Sequence, residues 1–478
     1  MNKNIRYALI LSGPILAFII YLLVPEQALK SDGSILVLGQ AGRVTAGMTA
    51  WMALWWMAEV VPLYVTALIP LIVLSLTGAM GFDRISLSYG HRIVFLAFGG
   101  FMLAVAIEKW HLHKRFSLFV LTFCGTKPRN IIGGFMLASA LLSMWISNTA
   151  TAIIILPVAL SIIKLIDKDN PHYHNFSTCL LLAIAYSCSI GGMGTLVGTG
   201  TNMFYAGYTE EILNQPVSFV QWMGIALPVV VVMLPVSWFL MTHFIFRIPN
   251  SGDDLHIDTR DIHTLGAWEP GQVLTFVIFI LAAVLWSTFP LLQAWPPMQF
   301  ISDTVIAVGA AFLLFIIPSN LKKQEFLLDW DTAVKKVPWG ILLLIGGGLC
   351  MARAVSENGI GEYISLLLED SLLLPELVLI FAVLTMMVFL TEISSNIASV
   401  TALSPVFAAL ALSRNMDPSL LIIPITLAAS CAFMLPAATM PNSIVMGSGM
   451  VRGWQMARAG LLLNIVGIAI IALRVSFL

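Results

Sequence analysis

The nine residues Ser143 to Thr151 read Ser-Met-Trp-Ile-Ser-Asn-Thr-Ala-Thr and lie between two apolar runs, 131–142 and 152–163. Each run is too short to cross a hydrocarbon core of about 30 Å, which takes about 20 apolar residues as a helix. We therefore expect a hairpin that enters the membrane, turns at the Ser-Asn-Thr tip and leaves by the same face. Irregular backbone is tolerated at that depth only where it is buried in protein or lines an aqueous cavity. The tip is therefore predicted to form a binding site.

The same pattern occurs a second time in the chain. Residues 391–399 read Thr-Glu-Ile-Ser-Ser-Asn-Ile-Ala-Ser between the apolar runs 377–390 and 400–412, and Asn396 follows Asn148 by 248 positions. Two further pairs recur in the same order: the Gly-Gly pairs at 99–100 and 347–348, and Gly198-Thr199-Gly200-Thr201-Asn202 with Ala438-Thr439-Met440-Pro441-Asn442. These matches indicate an internal repeat. Interrupted hydrophobic segments at corresponding positions of two halves point to the binding site of a transporter.

The composition is that of a polytopic membrane protein. Of 478 residues, 59% are hydrophobic and 10% are charged, and the mean hydropathy is +0.93. A soluble domain carries roughly 25% charged residues. The net charge of −1 gives no basic footprint for nucleic acid, so no nucleic-acid partner is expected.

The pattern predicts an all-α polytopic membrane protein with about 11 transmembrane helices and two re-entrant hairpins, in two repeats of inverted topology. An N-terminal helix and loop are expected over 1–46, and a linker over 247–270. Repeat 1 is expected over 47–246, with a hairpin at 130–166 and a broken helix at 178–206. Repeat 2 is expected over 271–478, with a hairpin at 375–412 and a broken helix at 420–447.

Positive residues predict the orientation, because loops on the cytoplasmic side carry an excess of Lys and Arg. Lys3 and Arg6 near the N-terminus can share one side with Lys127 and Arg129, which directly precede the first hairpin. That side is expected to be the cytoplasm, with the protein in a bacterial inner membrane and its N-terminus inside. The second hairpin is expected to enter from outside, where its flanks are acidic: Glu369, Asp370 and Glu376.

The polar residues at the tips and breaks suit both a cation and an anion. A dehydrated Na⁺ takes about five or six oxygen ligands, which backbone carbonyls at broken helices can supply together with hydroxyl and Asn amide oxygens. Helix N-termini at the same breaks present N–H groups and positive dipole ends to an anion. Two acidic residues within apolar stretches, Glu59 and Glu392, are candidates for a proton relay or for structural hydrogen bonding.

These motifs resemble those of the divalent anion/sodium symporter family, which includes the INDY-type sodium-coupled dicarboxylate transporters. The resemblance rests on the two hairpin tips, the Trp-Trp-x-x-Glu-x-x-Pro stretch at 55–62 and the Thr-x-x-Asn breaks. It implies a homodimer with a scaffold domain and a mobile transport domain that carries both hairpins. It also implies elevator-type movement driven by Na⁺. The small anionic substrate would be a C4-dicarboxylate such as succinate, or else citrate or sulfate.

The resemblance also implies the site residues. The first Na⁺ site would use Ser143, Ser147, Asn148 and the Gly198 carbonyl. The second Na⁺ site would use Thr391, Ser394, Asn396 and the Ala438 carbonyl. Substrate contacts would fall on Ser147, Asn148, Thr149, Thr199, Ser395, Asn396 and Thr439. Three features depart from the family pattern. Ile397 replaces a Thr hydroxyl at the second tip, and Met440 replaces a Pro at the second break. The first break reads Thr199-Gly200-Thr201-Asn202 where a Pro-rich version is typical.

Other functions on the same fold stay open at this point. The sequence favours a Na⁺-coupled dicarboxylate importer, with a sulfate or citrate symporter, a dicarboxylate exchanger and an H⁺-coupled carrier as alternatives. A channel would not need two mirrored hairpins. No nucleophile–base pair, metal-binding histidine set or P-loop is apparent in the sequence, so we expect a transporter and not an enzyme.

Overall fold

The computed structural model of the protein describes residues 3–30, 33–116, 127–167, 169–250, 267–289, 293, 296, 300–320, 322, 324–368 and 374–477. In the first half the elements are α1 (Lys3–Leu23), β1 (Gln27–Leu29), β2 (Ile35–Val37), α2 (Gly39–Ala58), α3 (Leu63–Thr66), α4 (Ile69–Thr77), α5 (Phe82–Tyr89), α6 (Arg92–Lys109), α7 (Pro128–Ser143), α8 (Asn148–Lys164), α9 (Tyr173–Gly192), α10 (Gly200–Leu213) and α11 (Phe219–Phe239), which continues as a π-helix (Leu240–Ile245).

The second half repeats the order of the first. Its elements are α12 (Pro270–Ser287), α13 (Asp303–Ile316), β3 (Pro318–Asn320), β4 (Glu325–Phe326), α14 (Trp330–Lys336), α15 (Trp339–Glu357), α16 (Ile360–Leu368), α17 (Glu376–Thr391), α18 (Asn396–Ser413), α19 (Ser419–Ala428), α20 (Met440–Met446) and α21 (Gly453–Val475). A long helix, a hairpin, a broken helix and a final long helix follow one another in both halves. The strands form only two short antiparallel pairs, β1–β2 and β3–β4.

Left-handed residues and prolines separate the short helices near the N-terminus. α2 ends at Glu59, whose φ is 45°, and Pro62 then occupies the N-cap of α3. α4 has Pro70 in its first turn and ends at Gly78, whose φ is 69°. Glu59 therefore lies at a helix end, where its side chain is exposed. The start of α2 at Gly39 also means that the boundary predicted at residue 46 falls inside a helix.

Two helical hairpins are present where the sequence predicts them. α7 and α8 are joined by residues 144–147, and α17 and α18 are joined by residues 392–395. α18 has 18 residues and is long and apolar enough to cross a membrane, so length alone does not identify it as a hairpin arm. The polar turn at its start does.

Eight helices within the described residues are long and apolar enough to span a membrane, and α18 is one of them. The other spans expected from the sequence correspond to α2 and to shorter or broken apolar helices, namely α3–α4, α13 and α19–α20. The all-α polytopic fold is therefore confirmed. Residues 251–266 of the predicted linker, and Glu369 and Asp370, lie outside the described residues.

The broken helix of the first half lies at the centre of the molecule. In a stretch of α9 long enough to cross a membrane, 94% of the residues are buried, whereas in the corresponding stretch of α1 only 6% are. α7 packs along α9, and α8 and α20 also contact it. α9 is mostly apolar, as expected of a helix that is buried on all sides, and it also buries Ser177, Thr178, Ser187 and Ser189. The first hairpin therefore packs against a helix that the rest of the protein covers.

Candidate functional site

The first hairpin tip is built around Asn148. Ser147 caps α8 by accepting a hydrogen bond from the backbone N–H of Ala150 at 3.2 Å. The Ser143 hydroxyl donates to Asn148 Oδ1 at 2.5 Å. The Ser143 and Asn148 side-chain oxygens therefore lie close enough together for both to contact one cation.

The first break approaches this tip through two glycines. A methyl group added at Gly192 would lie 2.5 Å from Asn148 Oδ1, and one added at Gly198 would lie 2.3 Å from the Gly192 carbonyl oxygen. Only glycine permits both approaches without displacing backbone or the Asn148 amide. The structure thus brings three of the four predicted ligands of the first Na⁺ site into one neighbourhood: Ser143, Asn148 and Gly198.

A buried amide fixes the backbone of the first break. Asn202 is fully buried, and its Nδ2 donates to the carbonyl oxygens of Gly192 at 3.0 Å, Met193 at 3.2 Å and Thr195 at 2.7 Å. Its backbone N–H donates to the hydroxyl of Thr199, the N-cap of α10, at 3.4 Å. The sequence marked Asn202 as part of a repeated motif but did not assign it this role.

The second hairpin tip has an unsatisfied amide oxygen. Asn396 Oδ1 is buried and has no hydrogen-bond partner in the described part of the chain. Leaving such an acceptor unpaired costs about 1–3 kcal/mol, so it suits a cation that supplies the missing interaction. Nearby, Ser394 Oγ donates to the Leu390 carbonyl at 2.8 Å and lies 2.7 Å from Ser399 Oγ. Thr391 Oγ1 donates to the Val388 carbonyl at 3.1 Å.

The second break follows the plan of the first. Thr439 caps α20 by accepting from the Asn442 backbone N–H at 3.4 Å. Asn442 Nδ2 donates to the carbonyl oxygens of Ala432 and Leu435, both at 3.0 Å. Ala438, whose carbonyl is a predicted Na⁺ ligand, lies in the same segment and is 9% exposed.

Glu392 distinguishes the second site from the first. Its carboxylate is 4% exposed, and Oε1 accepts from the backbone N–H groups of Phe433 at 2.8 Å and Met434 at 2.9 Å. Oε1 also accepts from Asn464 Nδ2 at 2.7 Å, and Oε2 accepts from the Leu435 N–H at 3.0 Å. Of the two roles that the sequence left open, the contacts support structural hydrogen bonding: the carboxylate joins the second hairpin, the second break and α21.

Ile397 connects the second tip to the first break. A methyl group added at Gly200 would lie 2.4 Å from Ile397 Cδ1 and 3.3 Å from Ile341 Cγ2. The apolar side chain therefore packs over the first residue of α10. It occupies space that a Pro at position 200 would need, which relates the two departures at 200 and 397 from the family pattern to one contact.

The substrate residues predicted from the resemblance surround these contacts. Thr149, Ser395, Asn396, Thr199 and Thr439 are half-buried, and Ser147 is exposed. α8 packs against α20, and α10 packs against α18, so each tip also meets the break of the other repeat. The N-termini of α8, α10 and α18 meet in this region, and their free N–H groups favour an anion.

A cleft of about 900 Å³ lies beside the outer face of α8. It is lined by Glu108, Lys109, His111, His113, Lys114, Ile153, Ile154, Pro157, Val158, Ser161, Thr332 and Lys336. Lys336 pairs with Glu108 at 2.6 Å, and Lys109 pairs with Asp329 at 2.9 Å. Burial, with a smaller effect of His111, lowers the pKa of His113 to about 4. The cleft is open at the C-terminal end of α6.

Comparison with known proteins gives matches along almost the whole chain. Residues 9–477 match the family described as "Sodium:sulfate symporter transmembrane region". The sodium-dependent dicarboxylate transporter SdcS of Staphylococcus saprophyticus is 36% identical over 479 residues, which cover 98% of this chain and 90% of that protein. SdcS of Staphylococcus aureus strain MRSA252 is 34% identical over 450 residues, covering 91% and 86%.

Two solved structures share the fold at low sequence identity. The Alcanivorax borkumensis YdaH transporter aligns with a TM-score of 0.61 at 12% identity, covering 99% of this chain and 98% of that one. Neisseria gonorrhoeae MtrF aligns with a TM-score of 0.61 at 12% identity, covering 98% and 94%. At this identity the likeness concerns the fold alone.

Proposed function

The chain belongs to the sodium:sulfate symporter family, and from that premise we propose that it imports a C4-dicarboxylate such as succinate together with Na⁺. It is a membrane transporter and not an enzyme, as the sequence predicts. Its coupling ion is Na⁺, in keeping with the family and with the sodium-dependent relatives. The dicarboxylate is proposed because the relatives that match nearly full length carry that substrate in their names.

The observation that carries the proposal is the doubled arrangement of an Asn-bearing tip beside a break closed by a second Asn. At the first tip Asn148 Oδ1 lies against Gly192, and at the second Asn396 Oδ1 lacks a partner within the described residues. Two oxygen-rich places of this kind suit two sodium ions. The helix N-termini between them suit one dianion.

The residues keep the roles that the resemblance implies. In our proposal the first Na⁺ binds Ser143, Ser147, Asn148 and the Gly198 carbonyl. The second binds Thr391, Ser394, Asn396 and the Ala438 carbonyl. The anion binds Ser147, Asn148, Thr149, Thr199, Ser395, Asn396 and Thr439. The tips and breaks of both repeats thus form one composite site.

Transport is proposed to proceed by an elevator-type movement. The hairpins, the broken helices and the long helices that follow them, α7–α11 and α17–α21, would form the transport domain. The remaining helices would form the scaffold of a homodimer. The repeats would have opposite orientations in a bacterial inner membrane, with the N-terminus in the cytoplasm. A cysteine at Asp169 and one at Glu376 test this topology, because they should label from opposite sides. Labelling of both from one side would exclude inverted repeats.

Uptake into proteoliposomes tests the transport activity. Labelled succinate, malate, citrate and sulfate are offered with an inward Na⁺ gradient, with an equal K⁺ gradient and with a pH gradient alone. We expect succinate uptake that requires the Na⁺ gradient. Uptake driven by protons alone, or preference for sulfate or citrate, would select one of the alternatives. Uptake that needs only internal dicarboxylate would indicate an exchanger.

A further inference from the structure

A charge cluster ties the far end of α10 to two other helices. Glu210 and Glu211 lie in the last turn of α10, Arg92 is the first residue of α6, and Arg353 lies near the end of α15. Arg353 forms an ion pair and a hydrogen bond with Glu211, and Arg92 forms an ion pair with Glu210. His91 Nε2 lies 3.6 Å from Glu211. We call Arg92, Glu210, Glu211 and Arg353 the charge cluster.

The central pair of the cluster is largely shielded from solvent. The side chains of Arg353 and Glu211 are 12% and 15% exposed. Exposed ion pairs contribute little, but removing one partner of a shielded pair leaves an uncompensated charge and is strongly destabilising. Both charges therefore contribute to the contact between α10 and α15.

The charges are placed against the local preference of two of the helices. Acidic side chains are unfavourable at a helix C-terminus and basic side chains at an N-terminus, because of the helix dipole. Glu210 and Glu211 lie at the C-terminus of α10, and Arg92 lies at the N-terminus of α6. Helix stability does not account for these residues, whereas pairing between helices does.

The helix that the cluster fixes is a helix of the proposed site. α10 begins at Gly200, directly after Thr199, and Glu210 and Glu211 follow 10 and 11 residues later, so the cluster lies about 16 Å from the site along the helix axis. The first turn of α10 faces Ile397 of the second tip. Any displacement of the site relative to α6 and α15 must therefore separate these ion pairs.

The internal repeat does not reproduce the charge cluster. Asn442 follows Asn202 by 240 positions and the long helices are offset by 248, so each charged position has a counterpart in the other half. The counterparts of Glu210, Glu211, Arg92 and Arg353 are Met450, Val451, Gly340 and Val105. If the two repeats exchange their conformations during transport, a contact without a counterpart stabilises one of the two resulting conformations over the other.

The open cleft lies at the opposite end of the same helix. Arg92 begins α6, which has 18 residues, and Glu108 and Lys109, which line the cleft, lie at its other end. At 1.5 Å per residue the two ends are about 26 Å apart. The cluster is thus closed at one end of the molecule while the cleft is open at the other.

We propose that the charge cluster is an ionic latch that stabilises the cleft-open conformation and must separate for the site to reach the other face of the membrane. The inference rests on the proposed alternating access of this transporter. It assigns Arg353 and Glu211 the main contribution, because they are the most shielded pair. Arg92 and Glu210 reinforce it.

Charge reversal tests the latch without requiring knowledge of the substrate. A single cysteine replaces Ser161, an exposed residue of the cleft, in a background free of other cysteines, and its rate of labelling by a maleimide is measured on purified protein. Arg353→Glu and Glu211→Arg should each lower the labelling rate roughly tenfold, because the cleft-open state loses its latch. The double swap, Arg353→Glu with Glu211→Arg, should restore it.

The controls separate the latch from folding and from the proposed function. Lys30→Glu breaks an ion pair with Glu362 at 3.2 Å, on α16 next to the end of α15 and without α10, and should leave labelling unchanged. Monodisperse elution of each variant confirms folding. Unchanged labelling in both single reversals, or no restoration in the swap, would overturn the latch. Restored labelling in the swap, together with no succinate uptake by the wild-type protein, would leave the latch standing and refute the proposed substrate.

Discussion

Glu392→Gln is the substitution whose effect follows most directly from the geometry of the second break. The carboxylate accepts four hydrogen bonds from Phe433, Met434, Leu435 and Asn464. A glutamine can present one oxygen, and its amide N–H₂ must then face at least one N–H donor. That donor loses its partner in a buried place, at a cost of about 1–3 kcal/mol.

This cost should affect Na⁺ binding, because the same segment carries Ala438 and Thr439. Since 1.4 kcal/mol is a factor of ten in affinity, we expect the half-saturating Na⁺ concentration to rise by about 5- to 150-fold. The measurement is succinate uptake into proteoliposomes as a function of Na⁺ concentration. Glu376→Gln is the matched control, because Glu376 begins α17, whose C-cap is Glu392, and is exposed.

Thermal unfolding of the same two variants separates binding from folding. A Glu392→Gln protein that unfolds at a lower temperature but keeps its Na⁺ dependence would show that the break is stabilised without being coupled to the ion. A half-saturating Na⁺ concentration within twofold of the wild-type value would refute the reasoning. The same result for Glu376→Gln is expected and serves as the reference.

Three further predictions concern the tips and the first break. Asn148→Ala and Asn396→Ala should each abolish Na⁺-driven uptake in protein that elutes as a single folded species, because each removes an amide oxygen from a desolvated cation; normal Na⁺ titration of either variant would remove that residue from the ligand set. Ile397→Thr should raise succinate affinity about tenfold in competition uptake, since it adds a donor to a charged group; unchanged affinities would mean that Ile397 does not face the anion. Gly200→Ala should lower the free energy of unfolding by about 1–3 kcal/mol through overpacking against Ile397, and Ile397→Ala should relieve it in a double variant; thermal unfolding that gives additive losses would contradict the contact.

The sequence predicted the elements that carry polar residues inside apolar runs. It predicted two hairpins and two broken helices, because small polar residues at membrane depth have few structural explanations. The apolar length of α18 is compatible with a membrane span, so length alone does not distinguish this arm. Only the turn before it, which depends on the chain reversing direction, makes it a hairpin arm.

Contacts between distant parts of the chain could not be predicted. Arg353 and Glu211 are 142 positions apart, and each alone resembles a charged residue near a helix end. The packing of Ile397 over Gly200 likewise depends on how the two halves meet. Asn202 and Asn442 were visible as a repeated motif, but the carbonyl groups that they bind are exposed only by the way each helix breaks.

The amide clamps of Asn202 and Asn442 have a thermodynamic consequence for the direction of transport. Because buried hydrogen bonds fix both breaks, we expect the site to travel as a rigid unit and to bind its anion equally well when open to either compartment. Such a carrier can transport its substrate in either direction. The ionic latch alters how long each state persists, and therefore the rates, but a bias between states cannot change an equilibrium. Net flux must then follow the combined gradients of Na⁺ and anion, and it should reverse when the Na⁺ gradient does.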